Sequence, residues 1–131
     1  MPQMSDITVK KNDGTTDLVY VQQTASAGDK SPAVWKGTST LAPLFRPELR
    51  VQSEWNGPRT ARRVTGVFVY PFTATGSDGR QVITDKEVGR FELTVPQGVS
   101  TSETDEAASQ YAHLIASTLI KSVLKTGYAP V

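Results

Sequence analysis

Arg46, Arg50, Arg59, Arg62 and Arg63 crowd the stretch between Phe45 and Val64, where only Glu48 and Glu54 oppose them. Guanidinium groups gathered in this way can meet phosphate, an attraction that is salt-sensitive and blind to base sequence. Charge alone favours this reading no more than the plain one, a solvated pair of strands. The net charge of the 131 residues is only +1, so any anion-binding surface has to be local. Acid gathers elsewhere, at Glu103, Asp105 and Glu106. A basic sheet and an acidic helix start give the molecule two electrically different faces. Trp35, Trp55 and Phe68 could stack bases, but each falls in a strand pattern where packing is the commoner fate.

Other chemistry is thinly represented, and no enzyme is expected. His113 is the only histidine, and with no cysteine in the chain nothing completes a metal site, a disulfide or a thiol nucleophile. No serine sits in a strand-turn-helix nucleophile motif. The acids at 103–106 are explained by helix capping. Gly76-Ser77-Asp78-Gly79-Arg80 lies between strands and so reads as a turn, not a phosphate loop. Neither a catalytic residue nor a metal, cofactor or small-molecule substrate is expected. No run approaches the roughly 18 apolar residues of a membrane span. The start Met1-Pro2-Gln3-Met4-Ser5-Asp6 lacks the basic and apolar regions of a secretory leader, which is compatible with synthesis in a cytosol.

The elements that must position the arginines are mostly strands. Ile7-Thr8-Val9-Lys10 alternates, Asn12-Asp13-Gly14 turns the chain, and Leu18-Val19-Tyr20-Val21 returns, predicting a hairpin over about 5–22. Gln22 to Lys30 reads as a loop. A sheet is predicted over 33–96, beginning with a short strand at Ala33-Val34-Trp35-Lys36. From Leu49 to Trp55 the period is two, with Leu49, Val51 and Trp55 on one side and Arg50, Gln52 and Glu54 on the other. A strand from Arg63 to Tyr70 is expected to stop at Pro71. Both its faces carry apolar residues, so grouping Arg63 and Thr65 with the polar set is a preference. The last strand, Lys86 to Val95, sets Phe91, Leu93 and Val95 against Arg90, Glu92 and Thr94. Helical spacing then runs over 102–126. Hydroxyl caps and acids open it from Ser100 to Glu106, a kink is expected near Ser117, and Gly127 ends it. Six or seven strands followed by one or two helices make an α+β chain, read as a single domain over 1–131.

This ordered set resembles the coat proteins of levivirus-type single-stranded RNA bacteriophages from Ile7 onward. The carriers are Asn12-Asp13-Gly14, Ala42-Pro43-Leu44-Phe45 before the strand Leu49 to Trp55, and Phe68-Val69-Tyr70-Pro71. They continue with Arg90-Phe91-Glu92-Leu93-Thr94-Val95-Pro96, Leu114-Ile115-Ala116-Ser117-Thr118-Leu119-Ile120 and Tyr128-Ala129-Pro130. No single motif is diagnostic.

The resemblance implies an intertwined homodimer with one continuous sheet, two C-terminal helices laid over the partner, and assembly into an icosahedral shell. It implies a virion protein made in the bacterial host cytoplasm, with single-stranded RNA, as a stem-loop, for a partner. It places Arg50, Gln52, Glu54, Arg63, Thr65, Val67, Lys86, Val88 and Arg90 on the RNA-facing side. Thr65 matches a threonine that helps line the family's adenine pocket. Gly76, Ser77, Asp78, Gly79 and Arg80 match the loop where dimers meet. Val88 departs from a base-stacking tyrosine, Val67 from a lysine, and Glu54 from a small hydroxyl side chain. RNA packaging therefore carries over better than recognition of one hairpin, and with it translational repression. A non-viral dimeric RNA-binding module and an assembly protein with no RNA role are the competing readings.

Overall fold

The computed structural model describes residues 2–131. Its contacts divide into two compact units, one running to Thr94 and one starting at Val95.

The first unit is a six-stranded sheet in which every strand lies beside its neighbours in sequence. The strands are β1 Ile7–Lys10, β2 Asp17–Thr24, β3 Ala33–Gly37, β4 Glu48–Trp55, β5 Ala61–Thr75 and β6 Gln81–Pro96. The first four pairings are antiparallel. The β1–β2 turn forms because Gly14 adopts φ +74° and the Asp13 carboxylate accepts from the amides of Thr15 and Thr16, both at 2.9 Å. Those bonds, with one from the Thr16 hydroxyl, pull the Asp13 pKa down to about 2. The β2–β3 register shifts between Gln22 and Thr24.

Pro71 does not end β5, which continues to Thr75. The pairing with β4 stops at Val69, opposite Glu48, so the missing N–H of Pro71 deprives β4 of nothing. Strand β6 likewise starts earlier than expected, at Gln81. The turn between them holds through Gly76 N–H to the Arg80 carbonyl at 2.7 Å, with Gly79 at φ +79°.

The second unit carries α1 Thr101–Ile115 and α2 Thr118–Thr126. Ser100 is the N-cap of α1, but its hydroxyl accepts from no amide; it donates to the Glu103 carboxylate at 3.0 Å. Ser117 breaks the helices as expected and caps α2 by accepting from the Ile120 amide. Gly127 ends α2 at φ +81°. Neither helix buries a residue, and Leu119 and Leu124 stay exposed.

Candidate nucleic-acid interface

The β4–β5 register determines how the charged side chains are sorted. Arg50 lies opposite Val67, Gln52 opposite Thr65 and Glu54 opposite Arg63, so these side chains share one face. The Arg63 Nε atom is 3.2 Å from the Glu92 carboxylate, which brings the even-numbered residues of β6 to the same face, Lys86, Val88 and Arg90 among them. The expected residues of the three strands therefore form one surface. Val34 and Lys36 join it opposite Arg50 and Glu48; their alternation with Ala33 and Trp35 was the sequence signal for this. The loop residues Gly76 to Arg80 lie apart from it, beyond the end of β4.

The surface is cationic but not unopposed. Arg50 Nε is 3.1 Å from Glu48, and Arg63 is shared between Glu92 and, at 3.9 Å, Glu54. Among the described residues, Lys86 and Arg90 form no ion pair. A hollow of about 170 Å³ opens here, lined by Arg50, Gln52, Thr65, Val67 and Pro32. Pro32, from the β2–β3 loop, was not anticipated. The lining offers one guanidinium, an amide and a hydroxyl against two apolar walls, a set able to hold a flat polar ring or a phosphate.

Not all of the arginine cluster contributes. Arg62 points to the opposite face, since adjacent strand residues alternate, and lies 4.9 Å over the Trp55 ring. It grips Asp29 through two bonds of 3.1 and 2.7 Å and also donates to Ser53. That hydrogen-bonded guanidinium holds the Asp29 carboxyl below its ordinary pKa. Arg46 donates to the Leu41 carbonyl, and Arg59 occupies a turn at φ +57°. The period of two has divided what the linear sequence grouped.

The opposite face is aromatic. Tyr20 and Phe68 meet edge to face at 6.3 Å, and Phe68, Tyr70 and Phe72 continue a row along β5. The Phe91 ring occupies the space where a side chain at Gly66 would stand. Yet Tyr20 and Ala61 alone are buried among the apolar residues described, and Tyr70 and Phe72 are more than two-fifths exposed. Burial raises the Tyr20 pKa, with Tyr70 adding to the shift.

No protein-family model and no curated protein matches the sequence. Solved structures do match its backbone, nearly end to end. A chain of the virus-like particle of Beihai levi-like virus 21 is 17% identical, with a TM-score of 0.82 over 99% of both chains. The virus-like particle of bacteriophage NT-214 gives 11% identity and a TM-score of 0.82 over 99% of this chain and 100% of that one. The protein capsid of bacteriophage GA gives 15% and 0.74 over 95% of each. A six-stranded meander followed by two helices, matched over this length, gives the chain the coat-protein fold of the levi-like RNA bacteriophages.

Proposed function

We propose that this protein is a viral capsid subunit: it dimerises, assembles into a closed shell and packages single-stranded RNA against its cationic sheet face. The observation that carries the reading is the two-sidedness of the sheet. One face is aromatic and uncovered, as a surface awaiting a second copy would be. The other gathers Arg50, Gln52, Arg63, Thr65, Lys86 and Arg90 around a hollow. In the dimer the helices of each copy lie over the sheet of the other, covering the aromatic row and the exposed Leu119 and Leu124. The Gly76 to Arg80 turn then meets neighbouring dimers. The site is virion-borne and uses no cofactor. RNA is held chiefly through phosphate, with Thr65 and its hollow taking a base of a stem-loop.

The carboxylates paired to Arg50 and Arg63 favour a second reading, an assembly protein that forms its shell without RNA. Electron microscopy of the protein expressed alone in bacteria, with absorbance at 260 and 280 nm on the same fraction, separates the two. Uniform RNA-rich particles are the expected result. Empty shells would favour the second reading, and dimers that never grow would point to a cellular RNA-binding module.

A further inference from the structure

Pro32 is the one wall of the hollow that comes from outside β4 and β5, and a proline has no amide with which to fix itself in a sheet. Continuing the β3–β4 register one step beyond Ala33–Val51 puts Pro32 opposite Gln52, another lining residue. Its place therefore depends on what holds the chain just before it. Residues 26–31 are tied among themselves. The Ser26 hydroxyl lies 2.7 Å from the Ser31 carbonyl, the Ala27 amide donates to the Ser31 hydroxyl at 3.0 Å, and the Ser31 amide donates to the Gly28 carbonyl at 3.1 Å. Lys30 sits at φ +66°, a conformation that residues with a side chain adopt rarely and keep only where their surroundings impose it.

That restraint comes from β4 and β5. The Lys30 amide donates to the Ser53 carbonyl at 3.0 Å. Arg62 grips the neighbouring Asp29 through two bonds, reaches the Ser53 hydroxyl at 3.0 Å, and rests on the Trp55 ring. A planar guanidinium fork can meet a carboxylate, a hydroxyl and a ring together; a lysine ammonium in its place cannot. The clasp is closed on the aromatic side of the sheet, and three residues further along the same loop stands the wall of a hollow on the charged side. We infer that Arg62 and Asp29 are positioning residues for that hollow: their ion pair fixes the β2–β3 loop so that Pro32 bounds the space offered to a base, and neither of them touches RNA. This role rests on the RNA-packaging reading and assigns it residues that lie outside the RNA-facing surface.

Filter binding of a short oligoadenylate and of an abasic strand of the same length, over a range of salt, separates the two kinds of contact. The abasic strand reports phosphate alone, and the difference between the strands reports the hollow. Asp29→Asn, in an exposed loop, is the sharpest variant, because losing a carboxylate would by charge alone tighten both strands. The clasp predicts the reverse for one of them: oligoadenylate should bind about tenfold more weakly, and the abasic strand no more weakly. Arg62→Lys, which keeps the charge, should lose oligoadenylate to a like degree with the salt slope unchanged. Adding it to Pro32→Gly should cost nothing beyond Pro32→Gly alone, since both remove the same wall. Without RNA, trypsin should cut after Lys30 faster in Arg62→Lys than in the wild type. Unchanged oligoadenylate binding in both variants overturns the clasp, as does unchanged trypsin cutting. A loss shared by the abasic strand, with a shallower salt slope, would make Arg62 a phosphate contact and overturn it too. Wild-type protein that binds the two strands alike overturns this inference and leaves packaging through phosphate standing; wild-type protein that binds neither overturns the packaging reading itself.

Discussion

The two faces of one sheet are held by different forces. On the aromatic face, rings seat against rings and against glycine, with Phe91 over Gly66 and Tyr20 edge-on to Phe68. On the charged face, side chains are positioned by ion pairs that remain largely in water, such as Arg50–Glu48 and Arg63–Glu92. Packing is sensitive to a single added carbon, whereas exposed ion pairs contribute between nothing and about 1 kcal/mol. The aromatic face should therefore govern stability, and the charged face should be free to serve binding.

The most forceful way to break that contrast is Gly66→Val. The new side chain would occupy the Phe91 ring's place, and overpacking of this kind costs about 1–3 kcal/mol. A clear drop in the urea midpoint is expected, and an unchanged midpoint would mean Phe91 does not hold its seat. Arg50→Ala combined with Arg63→Ala should do the opposite. Stability moves by about 0.5 kcal/mol or less, while the RNA content of particles falls and the salt dependence of RNA binding becomes shallower. Normal RNA content in that variant would rule out the proposed face.

A gentler probe sharpens the same point. Glu48→Gln with Glu92→Gln releases Arg50 and Arg63 from their nearest carboxylates, so RNA should bind a few-fold more tightly in filter binding at low salt. No change would show that those pairs do not compete with phosphate. The smallest effect lies away from both faces, in the β1–β2 turn. Because the folded Asp13 pKa is depressed to about 2, its contribution is fully present above the usual carboxylate range and is lost as pH falls through 2. NMR titration of the Asp13 carboxyl should give a midpoint near 2; a midpoint near 4 would mean the turn's hydrogen bonds are absent in solution.

Where alternation was strict, the sequence read true: Leu49, Val51 and Trp55 do lie opposite in facing to Arg50, Gln52 and Glu54. The facing of β5 was not legible, because Val64, Val67 and Phe68 are apolar on both sides, and only cross-strand register assigns Arg63 and Thr65. Pro71 looked like a stop because local signals do not reveal that β4 has already ended. The hollow was half legible. Arg50 and Gln52 followed from alternation and the role of Thr65 from the resemblance, but Pro32 reaches the site from a loop whose path no periodicity encodes. Ser100 fits an amide cap by type and place, and no local signal says that its hydroxyl donates to Glu103 and accepts from no amide.

Beyond Val69, β5 leaves β4 behind, and the β5–β6 hairpin continues to its turn as a two-stranded ribbon. Such ribbons twist more freely than wider sheets. Mechanically, the body of the sheet is a plate and the ribbon is a cantilever fixed at one end. Loads applied at the Gly76–Arg80 tip bend the ribbon before they distort the charged face. If the chain is the capsid subunit proposed above, it can meet neighbours at unequal angles while presenting the same charged face each time.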